Sequence, residues 1–199
     1  MCIRDRNSTL DRNSIGINTS QNVGKNIRID ANLKYLLEDQ AGNPRLSDGP
    51  GNANWILNHT SPSVDVNWGK GPNGDGRNDD LSEYQMTPSI YIQNPWFAQN
   101  YYVNDSEKER FIGSINMRYD LTDWLYARAR VGADRYDLHR TQSEPYGTGY
   151  KPMGGINHYK LAFKQFDSDF FLGTDNLSFT DDVSLTAFVG VGSNVQEAE

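Results

Sequence analysis

The stretch "NGDGRNDD", Asn73 to Asp80, sets side-chain oxygens at the density of a calcium-binding loop. Its spacing does not fit one. The sixth position from Asn73 is Asn78, where such a loop needs glycine for its sharp turn, and no Glu stands at the twelfth. The expected state is a disordered acidic loop. His59, His139 and His158 are isolated in sequence and read as solvated loop histidines rather than metal ligands. The chain has no G-x-S-x-G elbow, no Walker A loop and no H-E-x-x-H pair, and its one cysteine, Cys2, stands in the opening residues. The residue types therefore suggest no enzyme, no metal and no cofactor. The triplet "NHT" at Asn58 reads as chance in an Asn-rich chain.

Binding is better represented than catalysis. Trp55, Trp68 and Trp96 lie in one long segment together with Tyr84, Tyr91, Phe97, Tyr101 and Tyr102. Of these, Trp55, Trp68, Tyr91, Trp96 and Phe97 are the candidate ligand-binding residues, because aromatic faces above a pore can stack on sugar rings. The competing reading packs some of these rings against the loop itself and places Tyr101 and Tyr102 in an interfacial aromatic belt.

What must position such a loop is legible in "IRIDANLKYLLE", Ile27 to Glu38. Ile27, Ile29, Ala31, Leu33, Tyr35 and Leu37 share one side of a strand, and Arg28, Asp30, Asn32, Lys34 and Glu38 share the other. The same alternation recurs. "RNSIGINTSQ", Arg12 to Gln21, precedes it across an Asn/Gly turn, "NVGKN". "RFIGSINMRY" leads through "DLTD" into "WLYARARVGADRYDL", where Leu125, Ala127, Ala129, Val131 and Ala133 oppose Arg128, Arg130 and Asp134. "HYKLAFKQFDSDFFLGT" answers "DVSLTAFVGVG", with Val183, Leu185, Ala187, Val189 and Val191 in phase, across "DNLSFTD". Tyr159, Leu161 and Phe163 are out of phase with Phe166, Phe170 and Leu172, which predicts a bulge near Gln165. The expectation is an all-β chain of about six antiparallel strands in three hairpins. Turns within hairpins are short; the connections at about 39–108 and from about His139 to Asn157 are long and lie on one side.

Two environments suit such strands: a soluble sandwich whose core takes the apolar sides, or a barrel in lipid. The loop asymmetry favours the barrel. Only 36% of the 199 residues are hydrophobic and the mean hydropathy is −0.73, with no run near the roughly 18 apolar residues of a membrane helix. The formal charge of −7 speaks against a nucleic-acid surface. Acidic residues dominate the long connection, nine against four basic from Asp39 to Lys108. In a barrel Arg28, Asp30, Lys34, Arg128, Arg130 and Asp134 would face the lumen, and Ile27, Ile29, Leu33, Leu125, Val131, Leu185 and Val189 would face lipid. Trp124 and Tyr126 suit the aromatic belt at the short-turn end, although their shared phase would aim them inward.

The segment "SEKERFIGSINMRYDLTDWLYARARVGADRYD" resembles a hairpin of the SusC/RagA-type TonB-dependent outer-membrane receptors. The resemblance is carried by Arg110, Gly113, Tyr119, Leu121, Thr122, Trp124, Leu125, Gly132 and Asp134. "DRNSIGINTSQNVGKNIRIDANLKYLLED" and the "NPWFAQNYY" ahead of the Arg-starting strand are similar to other segments of that family. The resemblance implies a transmembrane barrel of about 22 strands around a plug, with short periplasmic turns and long extracellular loops. It also implies import of glycan oligosaccharides or peptides, a SusD-type surface lipoprotein as lid, and energy from TonB-ExbB-ExbD. On that reading the chain is a fragment of about a quarter of a barrel in the outer membrane of a Gram-negative bacterium. The opening "MCIRDR" resembles a translated sequencing-adapter scar, so residues 1–10 are expected to be artefactual or disordered and 11–196 to be barrel. The alternative is a secreted all-β domain that binds or hydrolyses glycans.

Overall fold

A computed structural model describes residues 7–48, 50–175, 177–180 and 183–199. Met1 to Arg6, on which the reading of an adapter scar rests, lie outside these residues, as do Asn176, Asp181 and Asp182 of the third turn.

The architecture is all-β. Strands β1 (Thr9–Val23), β2 (Ile27–Ala41), β3 (Val103–Asp120), β4 (Leu125–Glu144) and β5 (Gly155–Thr174) precede a short pair, β6 (Leu177–Thr180) and β7 (Val183–Leu185), and the chain continues into β8 (Phe188–Ala198). Six of them form one antiparallel, unclosed sheet in the order β1-β2-β3-β4-β5-β8, and β6 pairs with β7. The first two hairpins match the alternation read from sequence, with β1 beginning at Thr9 rather than Arg12.

The third hairpin differs in two ways. "DVSLTAFVGVG" is not one strand. Thr174 and Ala187 exchange hydrogen bonds that close the β5–β8 ladder, so the residues between them pair on themselves, with Leu185 opposite Leu177 in the small hairpin. Leu185 therefore stands apart from the apolar face to which its phase assigned it. Nor is there a bulge at Gln165. The β5–β8 ladder runs unbroken from Phe163↔Ala198 to Gly173↔Phe188. Phe163 stays out of phase because it has a partner on the polar side: its ring stacks on Tyr136 at 5.1 Å, and the Lys108 ammonium lies 4.9 Å from the Tyr136 ring.

The chain forms two compact units. One comprises the described residues of 12–37, 108–138 and 161–199 and contains the central portions of the six strands; the other comprises those of 7–11, 38–107 and 139–160 and contains strand ends and both long connections. In the strand unit small residues make room for large ones. A Cβ on Gly173 would lie 2.6 Å from the Tyr126 ring, and one on Gly190 would collide with the Phe171 ring. These are cross-strand aromatic-over-glycine pairs of the kind that pin register.

The long connection carries secondary structure of its own. Between β2 and β3 lie helix α1 (Ala53–His59), a 3-10 turn (Val66–Lys70) and helix α2 (Pro95–Tyr101). Asn52 caps α1 by accepting from the Asn54 and Trp55 amides. Asn94 caps α2 by accepting from Trp96 and Phe97, with Pro95 in the first turn where its missing N–H costs nothing. Ala53, Ile56, Phe97 and Ala98 form the apolar centre. Such short helices are marginal alone and hold through this packing.

Because the nearest atoms to a Cβ on Gly173 belong to Tyr126, Gly173→Ala should destabilise the chain by about 1 to 3 kcal/mol. In a Tyr126→Ala background the same substitution should cost little. Urea unfolding in detergent micelles measures both, and additive costs would contradict the pairing.

Candidate functional site

Alternation places the even residues of β2, β3 and β4 on one side of the sheet, joined there by the odd residues of β5. On this side every lumen candidate except Lys34 has a cross-strand or neighbouring partner among the described residues. Arg28 donates to Asp30 at 3.1 Å, and Asn116 donates to the same carboxylate at 3.4 Å. Arg128 donates through Nε to Asn116 Oδ1 at 2.6 Å. Arg130 Nε reaches Asp169 at 2.8 Å, and Arg110 holds Asp134 with two hydrogen bonds, one of 2.9 Å. Arg128, Arg130 and Asp134 thus do not form a ladder along their own strand; each pairs with a neighbouring strand. Sequence reasoning overlooked Asp167 and Asp169, although their alternation in "KQFDSDF" carried the signal. Further along, Arg118 joins Asp120 and Asp175 and lies 4.0 Å from the Tyr126 ring. Tyr126 therefore lies on the polar side, as its even phase implies. Exposed pairs of this kind contribute roughly 0–1 kcal/mol each, so their importance is the electrostatic lining they make.

The opposite side is apolar and uncovered among the described residues. Ile27, Ile29, Leu33, Leu125, Val131 and Val189 lie on it, with Val189 and Val191 both 70% exposed. Leu33 and Val131 border a shallow apolar trough of about 430 Å³ shared with Ile17, Phe111, Ile115 and Phe166.

The five aromatic candidates separate in the loop unit. Phe97 is 0% exposed and is core, which excludes it as a stacking platform: α2 turns its ring toward Tyr101 and Tyr102. Trp96 donates Nε1 to the Val66 carbonyl at 2.9 Å with Lys70 above its ring, and Trp55 stacks on His59 at 4.1 Å. Trp68, 53% exposed beside Tyr84, and Tyr91, 69% exposed and stacked on Tyr150, keep free ring surface. Tyr101 and Tyr102 are not belt residues. Tyr101 donates to Asp75, and Tyr102 packs on Phe97, its phenol pushed up by burial. Burial, with the nearby Glu144 carboxylate second, likewise pushes the Tyr150 phenol up to about 12.

"NGDGRNDD" is folded rather than disordered. Its carboxylates accept from protein donors: Asp75 from the Arg77 amide at 3.0 Å and the Tyr101 hydroxyl, Asp79 from Asn73, Asp80 from Ser82. Among the described residues no group of three His, Cys, Asp or Glu side chains is placed to hold a metal ion.

The residue that joins the two long connections was invisible in sequence. Glu83, 2% exposed, accepts from the Asn94 amide at 2.5 Å and the Gly149 amide at 3.0 Å, while its own amide donates to the Gly147 carbonyl at 2.9 Å. Asn94 in turn donates to the Gly69 and Tyr84 carbonyls. Burial raises the Glu83 carboxyl above its ordinary range, outweighing these hydrogen bonds.

No protein-family model matches the chain, and no curated protein sequence matches it.

Since the folded chain holds the Glu83 proton more tightly than the unfolded chain, stability should rise as pH falls from the raised value toward the ordinary 4.5 and level off below it. Thermal unfolding followed by loop tryptophan fluorescence should show this slope, and Glu83→Gln should flatten it. Glu83→Ala orphans two buried amides at about 1–3 kcal/mol each; unchanged hydrogen-exchange protection of the Gly149 amide would refute the clamp.

Proposed function

We propose that the strand unit is part of the wall of a membrane-spanning β-barrel in an outer membrane, belonging to a TonB-dependent importer of the SusC/RagA type. In this reading the polar side lines a watery lumen and the apolar side meets lipid. The observation that carries it is the apolar belt. It runs from Ile27 to Leu37 in β2, Phe111 to Tyr119 in β3 and Leu125 to Ala133 in β4, and beyond it the same parity turns charged at Glu107 and Glu109 and at Arg135 and Asp137. Nine to eleven residues at ~3.3 Å rise and ~45° tilt cover roughly 21–26 Å, the height of the apolar band of an outer membrane. At the belt's margins Tyr35 donates to Glu109 at 2.5 Å, and Tyr119 and Trp124 are exposed at the turn end, as interfacial aromatics would be.

The cargo in this reading is a glycan oligosaccharide or peptide, with Trp68 and Tyr91 the loop rings open to it. A SusD-type lipoprotein is the proposed lid and TonB-ExbB-ExbD the proposed source of energy. The polar lining gives a solute many weak, replaceable hydrogen bonds, which suits passage better than retention.

Lipid imposes no jigsaw fit, whereas a packed core does. Leu33→Ile should therefore be nearly neutral and Leu33→Arg should cost roughly 2–4 kcal/mol in lipid-reconstituted chain. In a Cys2→Ser background, a membrane-impermeant maleimide should label a cysteine at position 34 and spare one at 33. Equal labelling, or a monodisperse and cooperatively melting chain without detergent, would return the strands to a soluble fold.

A further inference from the structure

On the polar side of the strand unit Arg28, Arg110, Arg118 and Arg130 each meet a carboxylate. Among the described residues Arg128 does not, and the register explains why. The Arg130–Asp169 pair and the Tyr126–Gly173 contact lie two residues to either side, so antiparallel pairing sets Arg128 opposite Phe171. Where β5 supplies an acid to Arg130 it supplies an aromatic ring to Arg128. That ring packs edge-on to Phe188 at 6.1 Å and lies over Gly190.

Arg128 is nevertheless held. Its Nε donates to Asn116 Oδ1 at 2.6 Å, Asn116 Nδ2 donates to Asp30 at 3.4 Å, and Asp30 accepts from Arg28 at 3.1 Å. The relay fixes one edge of the guanidinium through a neutral oxygen, and its terminal nitrogens make no hydrogen bond or ion pair among the described residues. A planar fork of donors, oriented, without a carboxylate partner among the described residues and set opposite Phe171, matches a carboxylate joined to an apolar or ring-bearing body.

We propose that Arg128 is a recognition residue for such a carboxylate on the polar side of the sheet, with Asn116 positioning it and Phe171 taking the solute's apolar part. This inference goes beyond the proposed importer and does not require it, because the polar side is the same whether lipid or protein covers the other.

The test uses the full chain in detergent micelles and 4-fluorobenzoate as probe, observed by fluorine relaxation. Binding should be saturable, absent with neutral 4-fluorobenzamide and little affected by chloride at equal ionic strength. Arg128→Gln should abolish it. Asn116→Ala and Phe171→Ala should each weaken it several-fold, and Arg128→Lys, which keeps the charge but loses the fork, should do the same. Each variant is first checked for an intact Arg130–Asp169 pair by arginine-selective NMR. Equal binding by wild type and Arg128→Gln, by the benzamide, or full displacement by chloride would overturn the assignment. None of these outcomes depends on the labelling of positions 33 and 34, so the recognition site and the lipid-facing wall stand or fall separately.

Discussion

A sheet one layer thick satisfies its backbone in its own plane but leaves two sides to be accounted for, and here the two sides ask for opposite surroundings. Leu33, Val131, Phe166 and Val191 need a non-aqueous neighbour, while Asp30, Asn116 and Arg130 need water or one another. Neither side is covered by another layer of the described strand unit. The remaining features follow from that demand. Most charges on the polar side pair within or across strands, Arg128 excepted, and the apolar belt ends where Glu109 and Arg135 return the same parity to water.

Within the sheet, register rests on shape as much as on hydrogen bonds. An aromatic ring laid over a glycine of the adjacent strand, as Tyr126 over Gly173 and Phe171 over Gly190, fits in only one alignment. A slip by one residue would exchange the two sides and drive these rings into a Cβ. The glycines of "FVGVGSN" are thus part of the specification of the strand, although glycine is a weak strand former.

Much of this is legible in the amino-acid order alone, and the reason is period two. β2, β3 and β4 carry alternation over about nine residues, interrupted in β3 at Ile112 and ended in β2 at Leu36, and no helical period competes with it. Where legibility fails, the deciding contact is remote. Phe163 breaks phase to meet Tyr136, 27 residues away, and β7 leaves the large sheet because Thr174 and Ala187 close the ladder ahead of it. The stretch from Asn73 to Asp80 reads as disorder because its composition is polar and the donors that hold its carboxylates, such as Tyr101, are remote in sequence. Its helix starts are nonetheless written locally, in Asn52 and in the Asn94-Pro95 pair. Glu83 leaves no local sign at all, since a carboxylate that binds backbone amides places no demand on the identity of the residues that donate them.

That indifference has an evolutionary side. Glu83 ties the excursion between β2 and β3 to the one between β4 and β5 across 66 residues, and it does so through main-chain groups of Asn94 and Gly149. The side chains displayed on either excursion can therefore diversify freely while the clamp persists. A change in the backbone course of one excursion at these amides would disturb the other, so the two are coupled through their main chains.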